Sequence, residues 1–268
     1  MPPLSPSPAP SPSSPDAVVA ALRAAGCVFA EDEARLILSA ARTPDEAAAL
    51  VARRVAGEPI ELVVGWAEFH GLRVTVAPGV FVPRRRTEFL VDQALAHAPH
   101  ARVVVDLCCG SGAVGAALAT ALGSVELHAA DLDPAAVRCA RGNLADLGGR
   151  VYEGDLFGPL PDRLRGRVDI LAANVPYVPS REVPLLPAEA REHEPLTALD
   201  GGADGLDVLR RVAAGAPAWL APGGCLLVET SEQQAPAAVE AFTDGGLTAR
   251  LAVDDDRWAH VVVGTRTR

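Results

Sequence analysis

The stretch "VVVDLCCGSGAVGAALA", residues 103–119, decides how this chain is read. A short β-branched run ends at Asp106 and Leu107, a turn carries Gly110 and Gly112, and an Ala-rich run follows. The first segment has the length and composition of a buried strand. The glycines let the backbone turn sharply and approach a ligand closely. The helix that begins next offers N–H groups without intrahelical partners. Strand, glycine turn and helix together form the first unit of a ligand-binding parallel sheet.

Working outward, further strands are expected at "RVVVDL" (102–107), "VELHAA" (125–130), "RVYEG" (150–154), "VDILAA" (168–173) and "GCLLVET" (224–230). Helices are expected near 113–122, 134–147 and 205–219. Apolar strands alternating with helices imply a parallel sheet covered on both faces. The tail "LTARLAVDDDRWAHVVVG" reads as two strands around an acidic turn, so the α/β sheet should close with an antiparallel hairpin.

The N-terminal part differs. Residues 1–15 are a Pro/Ser tail that cannot build a core. Residues 16–60 read as a small domain of two or three short helices, with Asp16, Glu31 and Pro44 near their starts and Gly57 after the last. Residues 61–86 alternate around Gly71 and are expected to form a β-hairpin linker. The sheet domain should occupy 87–268.

Composition narrows the function. Lys and Arg total 24 against 34 Asp and Glu, a net charge of −10, and every basic residue is Arg. Such a chain is poorly suited to an extended phosphate backbone. A chain without lysine has no P-loop lysine. Five cysteines without zinc or redox spacing point to a reduced, cytoplasmic setting. No stretch reaches membrane-spanning length and no signal peptide is evident. Six scattered histidines lack the carboxylate neighbours of a metal site and are read as surface residues.

Three acids end successive strands. Asp106 precedes the glycine turn. Asp131 lies within "HAADLDP" (128–134), at the end of the second strand and 19 residues beyond Gly112, where an acid can hold a ribose diol. Asp155 ends "YEGD" after the third strand, within reach of an adenine amino group. NAD remains possible here, although Cys108 stands where a dinucleotide fingerprint has its first glycine. After the fourth strand come Asn174, Val175, Pro176 and Tyr177. The Asn174 side-chain oxygen and the Val175 carbonyl are two convergent acceptors for an NH2 group. Pro176 stiffens the turn and Tyr177 offers a stacking face. That combination suits alkylation of an amide or amino nitrogen.

With these motifs the chain resembles the HemK-type protein-(glutamine-N5) methyltransferases that modify translation release factors. The resemblance runs from about residue 16 to the C-terminus. It is carried by "GEPIELVVGWAEFHGLRVTVAPGVFVPR", "TEFLVDQAL", "ADLDP", "GDLF", "NVPYVP", "HEPLTALDGGADGLDVLRR" and "LAPGGCLLVET". It implies a small helical domain before a Rossmann-like methyltransferase sheet, with S-adenosylmethionine as cofactor and a release factor as protein partner. It also implies that Asp131 binds the ribose, that Asp155 approaches the adenine and that the Gly110–Gly112 loop passes near the methionine portion, with Asp106, Cys108 and Asn174 also among the cofactor-binding residues. Asn174 and the Val175 carbonyl would hold the glutamine amide, with Phe81 and Arg84 beside them. The chain departs from the family's Asn-Pro-Pro-Tyr at Val175 and from its Pro-Arg-Pro-Glu-Thr-Glu in "PRRRTE" (83–88), and it carries Cys108 in place of a glycine. Two rivals stand beside this reading: a methyltransferase of adenine or guanine amino groups in nucleic acid, and a non-catalytic cofactor-binding regulator. A cytoplasmic protein with no membrane and no nucleic-acid partner is expected; the sequence leaves the oligomeric state open, and a monomer is assumed.

Overall fold

The computed structural model describes residues 14–267, so most of the Pro/Ser tail lies outside the described residues. The chain divides into two compact units between Gly65 and Trp66.

The first unit holds four helices: α1 (Pro15–Ala24), α2 (Ala30–Ala40), α3 (Pro44–Val55) and α4 (Ile60–Val64). Ser14 caps α1, its Oγ accepting the Ala17 N–H at 3.4 Å, and Pro15 takes the first helical position. Helix therefore begins inside the segment read as tail. Val18, Leu22, Ala34, Ile37 and Val63 form the core of this unit. The fourth helix lies where the hairpin was expected to begin. Short apolar runs such as "ELVV" suit helix or strand equally well by pattern. Here burial of Leu62 and Val63 selects helix, and Gly65 ends it at φ +82°.

The second unit opens with a hairpin of β1 (Trp66–Phe69) and β2 (Leu72–Thr75). His70 and Gly71 between them both have positive φ, as a two-residue hairpin turn requires. Then follow α5 (Glu88–His97), β3 (Val103–Leu107), α6 (Ala113–Leu122), β4 (Glu126–Asp131), α7 (Pro134–Leu144), β5 (Arg150–Glu153) and β6 (Val168–Ala173). Two short helices, α8 (Ala188–His193) and α9 (Leu196–Leu199), lead to α10 (Asp207–Gly215), β7 (Leu220–Thr230), α11 (Ala235–Asp244), β8 (Thr248–Asp254) and β9 (Ala259–Thr265). The seven-stranded sheet has the order β5-β4-β3-β6-β7-β9-β8. Its first five strands are parallel, and β9 pairs antiparallel with both β7 and β8, as the tail pattern predicts.

Side-chain alternation divides the core into two layers. Val104, Ile170, Ala172, Cys225 and Leu227 face α5, α6 and α7. Val105, Leu107, Leu171, Ala173, Leu226 and Val228 face α10 and α11. Strand β7 starts four residues before the expected Gly224, because Leu220 pairs with Val168 ahead of a register shift. Helix α10 stops at Gly215 and passes into a 3₁₀ turn over Ala216–Ala218, where Pro217 offers no N–H. His128 is fully buried rather than at the surface, stacked on Tyr152 and bonded to the Glu126 carboxylate at 3.1 Å.

Candidate active site

The parallel order places β3 between β4 and β6, so the loops after these strands converge at one edge of the sheet. They enclose a cavity of about 500 Å³. Asp106, Cys108, Gly110, Asp131, Asp155, Asn174, Val175, Pro176, Tyr177, Phe81 and Arg84 all line it. Gly112 does not. Its Cα backs onto α7, where an added Cβ would meet Ala140 and Leu144 at 3.2 Å. Gly112 thus serves close helix packing and a left-handed turn at φ +79°.

The carboxylates differ in environment. Asp131 Oδ2 accepts the Gly110 N–H at 2.8 Å and Oδ1 accepts the Asp133 N–H at 2.9 Å, so this acid shapes the glycine turn. Burial raises its pKa. Asp106 is fully buried and accepts the Gly115 N–H at 2.8 Å, which ties β3 to the first turn of α6. Burial pushes its carboxyl up to about 7. Asp155 is half-exposed and ion-paired with Arg211 on α10 at 2.5 Å. The Cys108 and Cys109 thiols are pushed far above their ordinary range by burial, which fits packing rather than redox work. Cys108 occupies a left-handed position, φ +52°, that favours glycine.

The loop after β6 continues the alternation of its strand. Val175 points into the α10–α11 layer and is buried, so its side chain is core. Asn174 leaves on the opposite, α5, side. There its Nδ2 lies 3.5 Å from Oγ1 of buried Thr87, the residue that precedes α5. The Tyr177 hydroxyl accepts a hydrogen bond from Nη2 of Arg86, and the Arg86 Nε donates to Glu229 Oε1 at 2.9 Å. Burial pushes the Tyr177 phenol up to about 12. Two of the three arginines at 84–86 therefore have buried carboxylate partners, while Arg85 is exposed. Arg84 bonds the buried Glu194 at 2.6 Å and sits over the Phe81 ring, while Arg86 turns in to Glu229.

Thr87 and Glu229 escaped the sequence reading, although "TEFL" and "VET" carried them, and Glu194 entered it only through the family likeness of "HEPLTALDGGADGLDVLRR". Nothing in their spacing announces the contacts, which join residues 87–143 positions apart. The "DGGADG" glycines had a visible signal. An added Cβ on Gly201 would meet the Pro176 carbonyl at 2.6 Å, and one on Gly205 the Tyr177 carbonyl at 2.2 Å. These glycines let a second loop brace the Asn174–Tyr177 backbone, and the Gln234 Nε2 donates to the Tyr177 carbonyl at 2.8 Å. Among the described residues, no group of three or more His, Cys, Asp or Glu could hold a metal ion.

The comparisons with known proteins agree with this geometry. A family model described as "Methyltransferase small domain" matches residues 71–185. Over 228 residues the chain is 41% identical to a release factor glutamine methyltransferase of Geobacter sulfurreducens, covering 83% of this chain and 79% of that one. It is 36% identical over 217 residues to a 4-amino-L-phenylalanine/4-methylamino-L-phenylalanine methyltransferase of Streptomyces pristinaespiralis, covering 78% and 70%. A solved methyltransferase structure from Pyrococcus furiosus aligns with a TM-score of 0.53 at 16% identity, over 74% of this chain and 90% of that one, a likeness of fold alone. Sheet order, glycine turn and strand-end acids together define a Rossmann-like, S-adenosylmethionine-dependent methyltransferase. Within that class, the chain belongs to the release factor glutamine methyltransferase family.

Proposed function

We propose that this protein transfers the methyl group of S-adenosylmethionine to the side-chain amide nitrogen of a glutamine in a peptide chain release factor. The observation that carries the reading is the placement of Asn174, Pro176 and Tyr177 on the wall that also holds Gly110 and Asp131. One cavity can thus bring an NH2 group against a bound methyl donor.

The residues present fit that cofactor. Asp131, pinned between two backbone N–H groups, is pre-oriented for a ribose diol. Gly110 at φ +53° leaves room for a ligand beside the backbone, since a Cβ there would meet nothing within 4 Å. Asp155 stands on the same wall as an acceptor for the adenine amino group, and a bound adenine would share it with Arg211. The cofactor supplies a methyl group activated by a positive sulfur.

The rest is positioning. An amide nitrogen is a weak nucleophile because its lone pair is delocalised. The Asn174 oxygen and the Val175 carbonyl hold the two amide hydrogens and aim the nitrogen, while Tyr177 stacks on the amide plane. In that pose the aimed amide nitrogen would take the methyl group, the bonding pair remaining with the cofactor sulfur, and one amide proton would leave. We assign Phe81 and Arg84 to the acceptor side of the cavity. The helical unit ending at Gly65 is proposed to select the protein substrate, and the enzyme to act in the cytoplasm. No helix among the described residues is long and apolar enough to cross a membrane.

The test is methyl transfer from labelled cofactor to whole release factor, with the product mapped to a residue. Free 4-aminophenylalanine, an acceptor of the class in the Streptomyces pristinaespiralis relative's name, and nucleic acid serve as competing acceptors. Label on a release-factor glutamine is expected, and label only on either competitor would overturn the reading. Asn174→Ala should lower kcat by roughly tenfold per 1.4 kcal/mol of lost alignment while leaving cofactor affinity unchanged.

A further inference from the structure

Two neighbouring residues outside the sheet reach the acceptor loop. Arg86 and Thr87 lie on the 3₁₀ turn Arg85–Thr87 that leads into α5. Thr87 precedes the helix, yet its hydroxyl makes no capping bond there. It lies instead against the Asn174 amide nitrogen. One residue earlier, Arg86 bonds both the Tyr177 hydroxyl and Glu229, with its guanidinium carbon 5.8 Å from the Tyr177 ring centre. Glu229 is buried on β7, and its other oxygen, Oε2, is buried with no hydrogen-bond partner.

The sheet explains why these groups meet. Ala173 on β6 pairs with Val228 on β7, both facing the α10–α11 layer. The next residues, Asn174 and Glu229, therefore turn to the other face, toward the start of α5. A buried carboxylate whose second oxygen is unbonded is expensive to keep without a cation. Arg86 provides the cation, and the planar guanidinium still has donors for the phenol.

We propose that Arg86 and Thr87 are positioning residues that set the two recognising groups of the acceptor site. Thr87, 3.5 Å from the Asn174 amide nitrogen, holds that side chain on the α5 side of the cavity. Arg86, anchored on Glu229, fixes the Tyr177 ring as the stacking wall. The proposal deepens the methyltransferase reading and rests on it for its kinetic consequence. Its structural part is independent of the acceptor.

The test has two arms on the full chain. The first uses 13C-labelled tyrosine. Only Tyr152 and Tyr177 exist, so Tyr152→Phe assigns both ring signals. Arg86→Gln and Glu229→Gln should each shift the Tyr177 signal and leave that of Tyr152 in place. An unmoved Tyr177 signal would overturn the clamp whatever the enzyme methylates. The second arm is a double-mutant cycle in methyl transfer to release factor. Arg86→Gln and Tyr177→Phe should each lower kcat by about tenfold or more, with KM for cofactor unchanged, and the double variant should be little worse than either single. Thr87→Val, which keeps shape and removes the acceptor, should lower kcat, whereas Thr87→Ser should retain it. Additive losses, or a fall in cofactor affinity equal to the fall in kcat, would reduce both residues to structural roles and end the proposal. A wild-type enzyme inactive on release factor would end the function proposed above, while the tyrosine signals would still decide the clamp.

Discussion

Asp131 and Gly110 are joined by a 2.8 Å hydrogen bond from the glycine N–H to the aspartate Oδ2, across the loops that follow β4 and β3. One carboxylate thereby shapes the glycine turn and faces the cavity where the cofactor ribose is proposed to sit. Asp131→Ala should therefore weaken S-adenosylmethionine binding by roughly 1.5–3 kcal/mol, about ten- to a hundredfold in Kd. Calorimetry should show that loss, and no heat with NAD for the wild type. An unchanged Kd would remove Asp131 from the cofactor site.

Cys108 carries a side chain at φ +52°, where a Cβ costs about 1–2 kcal/mol. Cys108→Gly removes that strain but gains unfolded-state entropy of roughly 0.5–1 kcal/mol and gives up packing. The opposing effects should leave the melting temperature within a few degrees of wild type. Cys108→Val puts a β-branched residue at the same angle and should lower it clearly. Thermal unfolding of both variants checks the pair, and a stable Cys108→Val would contradict it.

Asp106 should make stability depend on pH. Its carboxyl is raised from 3.8 to about 7 by burial. The folded state thus holds a proton that the unfolded chain has released between these values. This contribution is fully present below pH 3.8 and is lost as pH rises through about 7. Asp106→Asn keeps an acceptor for the Gly115 N–H and removes the titration. Denaturant unfolding at pH 5 and pH 8 should show a smaller difference for the variant than for wild type. Equal pH dependence in both would mean that Asp106 is ionised throughout.

The helical unit can be removed at its boundary. Deleting residues 1–65 should abolish transfer to release factor and leave cofactor binding within a fewfold of wild type, because every cavity-lining residue lies in the second unit. Deleting residues 1–13 keeps the Ser14 cap and should change neither quantity. A truncated enzyme as active on release factor as the full chain would end the substrate-selecting role.

Much of this was legible in the sequence because it is local. The alternating strands, the glycine turn at 110–112 and the acids at 106, 131 and 155 follow from periodicity and spacing within short windows. So does the parallel sheet with its C-terminal hairpin. Helix α11 was missed although Ala235, Ala238 and Phe242 recur at helical spacing and Pro236 sits in its first turn. The segment Ile60–Val64 was misread because five residues are too few to separate a period of 3.6 from one of 2.

The sequence by itself determined the strands, the glycine turn with its strand-end acids and the Asn174–Tyr177 loop, since each is written in neighbouring residues. Only the tertiary structure decided which charges point inward. Nothing local tells Arg86 from Arg85. Arg86 turns into the site because β6 and β7 lie side by side and the face that carries Asn174 also carries Glu229, 143 residues along the chain from Arg86. A buried carboxylate then selects the nearest cation, and that choice is made by distance in the fold rather than by position in the chain.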